Sequence, residues 1–302
     1  MSVSTQTFTP VASGHDIGGT VQKYLWQWQG QTYTLTYETK GEGTPVLLLP
    51  AFSTVSTRAE MRGIAEKLVS RHRVVALDWL GFGESDRPPL DYQPAIYHQL
   101  LHDFVRDTFS NPIAVIAAGH AAGYVMQLAQ QPNVWSRIVL IAPTWRGPLT
   151  VMGADETVAG FVRGLVRSPF VGQALYQANT TAAFLRLMYS RHVYVDKARL
   201  TPEFIAHKRQ ITQHPGARFA PAAFVTGKLD PVTSREQFLA LFTVSIPIMV
   251  IIGNQSPPSS TAEMQAITTL PGIQSQALPG TLGLHEEFAA EVADVVLPFL
   301  NS

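Results

Sequence analysis

The sequence lacks cysteine and is poor in charged residues, and each of these features excludes certain kinds of site or protein. Without cysteine there can be no disulfide framework, no zinc–thiolate site and no thiol nucleophile. Charged residues make up 15% of the 302 residues, and 22 Lys and Arg balance 22 Asp and Glu, so the basic excess that favours nucleic-acid binding is missing. The hydrophobic share of 46% excludes a disordered chain and supplies enough apolar surface for a large core.

Long apolar runs are also missing. The longest, Ile113 to Met126, is interrupted by Gly119, His120 and Gly123 and is shorter than the roughly 20 apolar residues of a membrane span. The Ser/Thr-rich start, Met1 to Thr9, has neither the apolar core of a secretory signal nor the arginines of an amphipathic transit peptide. We therefore expect a cytoplasmic, soluble protein, with a serine-rich chloroplast-type leader as the alternative.

The first half of the chain alternates strand-like and helix-like patterns. Apolar and polar residues alternate on both sides of Gly30, which predicts a hairpin. Four short apolar runs then predict strands covered on both faces: Val46–Leu49, Val74–Leu77, Ile113–Ala118 and Ile138–Ala142. Helical stripes lie between them, over 61–69 and 96–105. Such alternation is typical of a doubly wound parallel sheet.

From about Leu149 to about Phe219 the alternation stops, and the apolar spacing is helical throughout. Strand-like runs resume at Ile248–Ile252 and Ile273–Leu278, followed by a last helix. The pattern predicts one core formed by residues 1–148 and 220–302, covered by a helical cap, or lid, of residues 149–219.

A strand–turn–helix motif follows the Ile113 strand. Its turn reads Gly119-His120-Ala121-Ala122-Gly123 and resembles the G-x-S-x-G elbow of the α/β-hydrolase superfamily. The segment from Asp78 to Pro88 is similar to the D-x-P-G-x-G-x-S segment of the same superfamily. The resemblance implies the α/β-hydrolase fold: a mostly parallel doubly wound sheet with an N-terminal antiparallel hairpin and an inserted helical cap.

The resemblance also indicates where a catalytic triad would lie, and the expected residue types are missing there. Ala121 occupies the nucleophile position, at the tip of the strained turn, and a methyl group cannot attack a carbonyl. Ser256 occupies the acid position. The histidine position holds Leu282, or His285 if a local shift is allowed.

The resemblance further implies an oxyanion site and a pocket. The backbone N–H groups of Phe52 and Ala122 would form the oxyanion site. Under the cap we expect an apolar pocket. Its candidate residues are Trp145, Arg146, Phe161 and Met188. Arg146 could bind a carboxylate or phosphate of a ligand, or it could bond carbonyl groups where the cap begins.

Three other polar residues have competing interpretations. Asp230, before Pro231, resembles an early triad acid, but we interpret it as the N-cap of the following helix. His285 is either a displaced general base or a capping residue of the last helix. His120 is expected to point into the packing beside the elbow.

Two functional hypotheses follow. The first is a non-hydrolytic protein with a degenerate triad that binds a small hydrophobic molecule under the cap. The second is an active hydrolase or lyase of ester or C–C bonds, using His285, a bound water and the elbow oxyanion hole. A laboratory replacement of serine would explain Ala121 but not Ser256 or Leu282, so natural divergence is favoured. Neither hypothesis requires a cofactor or a metal, and the oligomeric state is left open.

Overall fold

The computed structural model describes residues 16–302, so the N-terminal segment Met1–Thr9 lies outside the described residues. One sheet of eight strands runs through it, in the order β1-β2-β4-β3-β5-β6-β7-β8. The strands are β1 Thr20–Trp28, β2 Gln31–Lys40, β3 Thr44–Leu49, β4 His72–Leu77, β5 Ile113–Ala118, β6 Trp135–Ile141, β7 Ile248–Gly253 and β8 Ile273–Leu278. The predicted hairpin and all six predicted apolar strands are confirmed.

The pairing is antiparallel at one edge and parallel elsewhere. β1 pairs with β2 and β2 with β4 in antiparallel register, whereas β4, β3, β5, β6, β7 and β8 run parallel. The carboxyl ends of the six parallel strands therefore meet at one edge of the sheet. In open sheets of this kind, ligands bind beside that edge.

Helices cover both faces of the sheet. They are α1 Arg62–Leu68, α2 Pro94–Thr108, α3 Ala121–Leu128, α4 Pro148–Val151, α5 Glu156–Arg167, α6 Val171–Ala178, α7 Ala182–Met188, α8 Pro202–Thr212, α9 Phe219–Val225, α10 Arg235–Ala240, α11 Pro258–Thr268, α12 Leu284–Glu287 and α13 Ala289–Asn301. Between β6 and β7 the chain forms α4 to α10 and no strand. We call residues 148–240 the helical segment; the cap boundaries at 149 and 219 stay predictions.

The short apolar strands divide their side chains between two cores. In β3, Leu47 and Leu49 join the core on one face of the sheet, while Val46 and Leu48 join the core on the other. Successive strand residues point to opposite faces, so a run without polar residues fits only a sheet that is covered on both sides. This is why the run of apolar residues, and not alternation, predicted the central strands.

The segment that resembles D-x-P-G-x-G-x-S acts mainly as a structural turn. Asp78, at the end of β4, accepts hydrogen bonds from the backbone N–H of Arg58 at 2.6 Å and of Glu84 at 2.9 Å. A Cβ atom on Gly83 would lie 2.1 Å from Cγ of Asp78, so only glycine fits there. The buried Arg58 guanidinium pairs with Glu38 at 2.9 Å and with Asp78 at 2.5 Å. Glycine and ion pairing together fix this loop beside the carboxyl edge of the sheet.

Over residues 16–302, no helix combines the length and the apolar character needed to cross a membrane.

Candidate functional site

The elbow turn lies between β5 and α3, but its strained residue is not the one expected. Gly119 has φ +53°, whereas Ala121 is the first residue of α3 and is fully buried. The left-handed backbone region costs glycine little, while alanine pays a steric penalty there. The left-handed turn therefore falls two residues before Ala121, and Ala121 is not exposed above the sheet. Neither Gly119 nor Ala121 carries a nucleophilic atom.

The two glycines of the turn allow close packing. A Cβ atom on Gly119 would lie 3.0 Å from Cβ of Ala51, and one on Gly123 would lie 2.2 Å from Cγ of Pro231. The Gly119 carbonyl accepts hydrogen bonds from the N–H of Ala122 at 3.2 Å and of Thr144 at 3.1 Å. The Ala122 N–H is thus already used inside the turn, and an oxyanion role for it would require that bond to break.

Phe52, the other predicted oxyanion residue, packs its side chain into an aromatic cluster over the elbow. Its ring centroid lies 5.1 Å from that of Trp79 and 4.9 Å from that of Tyr97. It also lies 5.8 Å from the ring of His120 and 6.2 Å from that of Phe224 in α9. Phe52 is 3% exposed. The aromatic cluster therefore occupies space next to the turn, and a ligand at the elbow would have to displace one of these rings.

The buried His120 and the partly buried Asp230 form a polar pair next to the elbow. Their Nε2 and Oδ1 atoms are 3.6 Å apart, and His120 Nε2 also lies 2.7 Å from the Leu229 carbonyl. Burial lowers the pKa of His120 to about 4, although the bond to Leu229 opposes that shift. Burial raises the pKa of Asp230 to about 7, against the opposing hydrogen bond from the Gly147 N–H. Both side chains are therefore mainly neutral between about pH 4 and pH 7.

The interpretation of Asp230 as a helix N-cap is wrong. The N-cap of α10 is Ser234, whose side chain accepts from the Gln237 N–H at 3.2 Å. Asp230 Oδ1 instead accepts from the Gly147 N–H at 2.7 Å. Its carboxylate thereby holds Gly147, the N-cap of α4, at the start of the helical segment, while α10 begins only at Arg235. His120 lies in the packing, as predicted.

Trp145 and Arg146 lie after β6 and face helix α11. Trp145 Nε1 donates to Glu263 at 3.2 Å, and Arg146 Nη2 lies 3.7 Å from the other oxygen of the same carboxylate. The Arg146 guanidinium also lies 5.1 Å from the Trp145 ring centroid. Arg146 Nε is buried and has no hydrogen-bond partner among residues 16–302. One donor of Arg146 is thus left for another group, and its ligand-binding role stays a prediction.

The other two predicted pocket residues belong to the helical segment. Phe161, in α5, is 70% exposed, whereas Met188, at the end of α7, is half-buried. The Phe161 side chain thus faces solvent in this structure. A pocket role for both residues stays a prediction.

Ser256 and Leu282 lie in the loops after the last two strands. Ser256 is buried, and its Oγ has no hydrogen-bond partner within the described part of the chain. Leu282 packs against the apolar core. A serine hydroxyl cannot carry the negative charge with which a triad acid stabilises an imidazolium. The position of Ser256 is thus compatible with a lost acid.

His285 faces a carboxylate that the sequence did not suggest. Its Nε2 lies 3.2 Å from Oε2 of Glu60, and both side chains are about 95% buried. Glu60 Oε1 is 3.5 Å from Nζ of Lys208 in α8, and Lys208 is 2.6 Å from Glu286. Burial alone would lower the pKa of Lys208, but Glu286 and Glu60 outweigh it and raise that pKa. We call Glu60, Lys208, His285 and Glu286 the buried ionic cluster.

The buried ionic cluster joins three distant parts of the chain. Glu60 follows β3, Lys208 comes from the helical segment, and His285 and Glu286 open α12. Sequence reasoning missed Glu60 and Lys208 because neither lies in a motif that the sequence displays, and both are distant along the chain from His285. Only a lysine inside an otherwise apolar helical face, beside Ile205 and Ile211, could have drawn attention to Lys208.

No group of three or more His, Asp or Glu side chains in residues 16–302 is arranged to hold a metal ion.

Comparisons with known proteins agree with this fold. The sequence model described as "Alpha/beta hydrolase family" matches residues 46–295, so the chain belongs to the alpha/beta hydrolase family. A solved structure, that of wild-type Cfl2 from Burkholderia cenocepacia, is similar with a TM-score of 0.73 and 16% identity. The match covers 94% of this chain and 97% of that one. At this identity the likeness concerns the fold alone.

Two curated relatives are similar in sequence. An uncharacterized protein of Mycobacterium tuberculosis is 30% identical over 111 residues, which are 36% of this chain and 32% of that protein. The match thus spans about a third of that relative. The 2-hydroxy-6-oxo-6-(2'-aminophenyl)hexa-2,4-dienoic acid hydrolase of Metapseudomonas resinovorans is 29% identical over 230 residues, covering 68% of this chain and 75% of the hydrolase.

Proposed function

We propose that this member of the alpha/beta hydrolase family binds a small, largely apolar molecule and forms no acyl-enzyme. One observation carries the absence of an acyl-enzyme: neither residue that could occupy the tip of the elbow, Gly119 or Ala121, offers an atom that can attack a carbonyl. The degenerate acid position at Ser256 supports it, since its side chain cannot stay ionised beside a histidine.

The ligand we propose is neutral or singly anionic. The formal net charge of the chain is zero, so no long-range field attracts highly charged molecules. Next to the elbow the surroundings are aromatic, and the nearby titratable pair, His120 and Asp230, is neutral in the acidic range. Arg146, with its unpartnered Nε, is the candidate to bind a single carboxylate.

Access to the proposed site requires movement. The rings of Phe52, His120 on the elbow and Phe224 on α9 contact one another, with centroids 5.2–6.2 Å apart, so the ligand would enter as α9 or the Phe52 ring shifts. Binding that selects such an open state has its apparent affinity reduced by the population of that state. Substituting Phe224, half-buried in the cluster, with alanine should therefore strengthen binding, because it leaves room next to the elbow.

The test combines covalent trapping with ligand binding. The protein is incubated with a fluorophosphonate or an activated ester, and its intact mass is measured. We expect no adduct. A panel of apolar monocarboxylates is then screened by thermal unfolding, where a ligand at a hundredfold excess over its Kd stabilises by about 2.7 kcal/mol. A stoichiometric adduct on Ser53, Ser85 or Ser256 would overturn the proposal, as would a panel that never raises the unfolding temperature.

One observation favours a second candidate function, hydrolysis through a bound water. The His285–Glu60 pair, 3.2 Å apart, is a histidine–carboxylate couple of the kind that general-base catalysis uses. If Nε2–H donates to Glu60, Nδ1 is the free base; it is buried and unpartnered among residues 16–302. The Nδ1 atom would take a proton from water as the water oxygen attacks the substrate carbonyl, and would return it to the leaving group.

The relative from Metapseudomonas resinovorans suggests substrates for this second candidate. Its name specifies hydrolysis of 2-hydroxy-6-oxo-6-(2'-aminophenyl)hexa-2,4-dienoic acid. Turnover of such acids and of aryl esters should be compared in the natural chain and in Glu60→Gln. Turnover that falls by about a hundredfold or more in Glu60→Gln, with folding intact, would favour catalysis by the pair. Absent turnover would leave the binding proposal alone.

A further inference from the structure

The last strand of the sheet, β8, lies at its edge and is open to solvent on both faces. Among residues 16–302, β8 pairs with β7 alone. Its four middle residues, 274–277, are all exposed. Successive strand residues point to opposite faces of a sheet. The helices that bury both faces of the central strands therefore leave the middle of β8 uncovered.

The backbone of β8 presents hydrogen-bonding groups along its outer side. The Leu278 carbonyl accepts from the N–H of Asn254, just after β7, at 3.1 Å, so Leu278 directs its backbone groups towards β7. The backbone groups of successive strand residues point alternately to the two sides of the strand, so those of Ser275 and Ala277 point away from β7. In the described part of the chain these groups have no hydrogen-bond partner. Such an unpaired edge is a template for another strand.

The features with which natural sheets protect an edge are missing from β8. Its pairing with β7 is continuous from Ile273 to Leu278, and these six residues include no proline. The surrounding stretch, 264–284, contains no charged residue. The opposite edge strand, β1, carries Lys23 near its middle, and a lysine on an edge strand disfavours pairing with another chain. The unprotected edge of this sheet is therefore β8.

We propose that two copies of the chain associate through antiparallel pairing of their β8 strands. The absence of charge favours a second copy as the partner, because a two-fold axis brings each central residue close to its own equivalent, and a charged strand would oppose like charges there. Pairing occupies the β8 edge of both copies, so association stops at the dimer. The proposal is independent of the elbow and of whether the protein hydrolyses anything.

The outward backbone groups define the register of the pair. With the two-fold axis at Gln276, Ser275 of each copy lies opposite Ala277 of the other. These are the two residues whose N–H and C=O groups point away from β7, so each Ser275–Ala277 pair exchanges two hydrogen bonds. The two Gln276 side chains are then neighbours across the axis. Residue 276 is thus the position at which a charge should oppose its own copy.

Sedimentation velocity of the full chain, from micromolar to submillimolar concentration, tests the proposal. We expect a monomer–dimer equilibrium for the natural chain. Gln276→Lys and Gln276→Glu should each weaken the dimer by about tenfold, because two like charges meet at the axis. An equimolar mixture of the two variants should recover association, since a lysine then faces a glutamate. The unfolding midpoint of each variant establishes that it is folded.

Leu25→Lys is the matched control, because Leu25 is 58% exposed but lies on β1, at the opposite edge of the sheet. It should associate like the natural chain. Amide hydrogen exchange gives a second readout: the Ser275 and Ala277 amides should exchange more slowly at high protein concentration, whereas the Gln276 amide, which faces β7, should not change.

A natural chain that stays monomeric over the whole concentration range would overturn the proposal. So would a dimer that Gln276→Lys leaves intact, or one that Leu25→Lys weakens as much as Gln276→Lys does. A mixture of the Lys and Glu variants that fails to associate would show that residue 276 does not face its own copy, and would overturn the proposed pairing as well.

Discussion

Nζ of Lys208 lies 2.6 Å from Oε1 of Glu286, an ion pair between the helical segment and the C-terminal part of the chain. Lys208 is 3% exposed, so the pair is shielded from water, and Glu60 adds a second carboxylate at 3.5 Å. The two carboxylates of Glu60 and Glu286 depend on this one cation. A buried ion pair contributes modest net stability, but removing one partner is costly because the other charge stays buried.

Lys208→Met should therefore destabilise the protein by about 3–5 kcal/mol, because Glu60 and Glu286 lose their cation. Urea unfolding measures the change. Lys197→Met, at an exposed position, is the control and should have almost no effect. Adding Glu60→Gln and Glu286→Gln to Lys208→Met should restore part of the loss. Equal stability of Lys208→Met and Lys197→Met would show that the pair is not formed in solution.

The pH dependence of stability should reveal the opposing titrations of Asp230 and His120. The pKa of Asp230 is raised from 3.8 to about 7, so its contribution is present below pH 3.8 and is lost as the pH rises towards 7. The pKa of His120 is lowered from 6.5 to about 4, so its contribution is present above pH 6.5 and is lost as the pH falls towards 4. Between about pH 4 and 6.5, a rise in pH therefore lowers the free energy of unfolding through Asp230 and raises it through His120.

Asp230→Asn removes the titration of Asp230 and keeps a side-chain oxygen that can accept the hydrogen bond from the Gly147 N–H. Relative to the natural chain, the variant should gain stability as the pH rises from 4 to 7, by at most about 4 kcal/mol, and the gain should level off above pH 7. Denaturant unfolding at a series of pH values measures it. Asp91→Asn, at an exposed site, should run parallel to the natural chain. A difference that is constant with pH would mean that Asp230 is not protonated in the folded state.

Gly119→Ala tests where the strained residue of the elbow lies. Because Gly119 has φ +53° and its added Cβ would lie 3.0 Å from Cβ of Ala51, the change should destabilise by about 1–3 kcal/mol. Gly164→Ala is the matched control: Gly164 lies inside α5 with no atom within 4 Å of an added Cβ, so it should stabilise by about 0.5–1 kcal/mol. If Gly119→Ala and Gly164→Ala changed the free energy of unfolding in the same direction, the left-handed residue of the elbow would lie elsewhere.

Ala121→Ser should not create an acyl-enzyme. The position is fully buried in the first turn of α3, and Ser256 supplies no carboxylate for a triad. Intact mass after treatment with a fluorophosphonate should match the untreated variant, and turnover of aryl esters should stay within about tenfold of the natural chain. Stoichiometric labelling at position 121 would show instead that only the nucleophile had been lost and that the remaining site is intact.

The local sequence already determined the sheet and the family. Short runs such as Val46–Leu49 predicted buried parallel strands, because only a sheet covered on both faces accommodates apolar side chains at every position. The Asp78 to Pro88 segment indicated the superfamily by its resemblance to the D-x-P-G-x-G-x-S segment, and the structure shows that its turn needs glycine at Gly83, against the Asp78 carboxylate. These features depend on neighbours close along the chain, so a single sequence displays them.

Only the tertiary structure decided which polar groups meet. Glu60 and His285 are 225 positions apart, and their contact at 3.2 Å results from packing the loop after β3 against α12. Asp230 was expected to be an N-cap, but Ser234 caps α10, and Asp230 instead lies beside His120 and accepts a hydrogen bond from Gly147. The left-handed residue of the elbow is Gly119 and not Ala121, because β5 ends at Ala118 and α3 already begins at Ala121, so the chain must turn between them. Glycine adopts the positive φ of that turn at little steric cost, and only the tertiary structure shows where the strand ends and the helix begins.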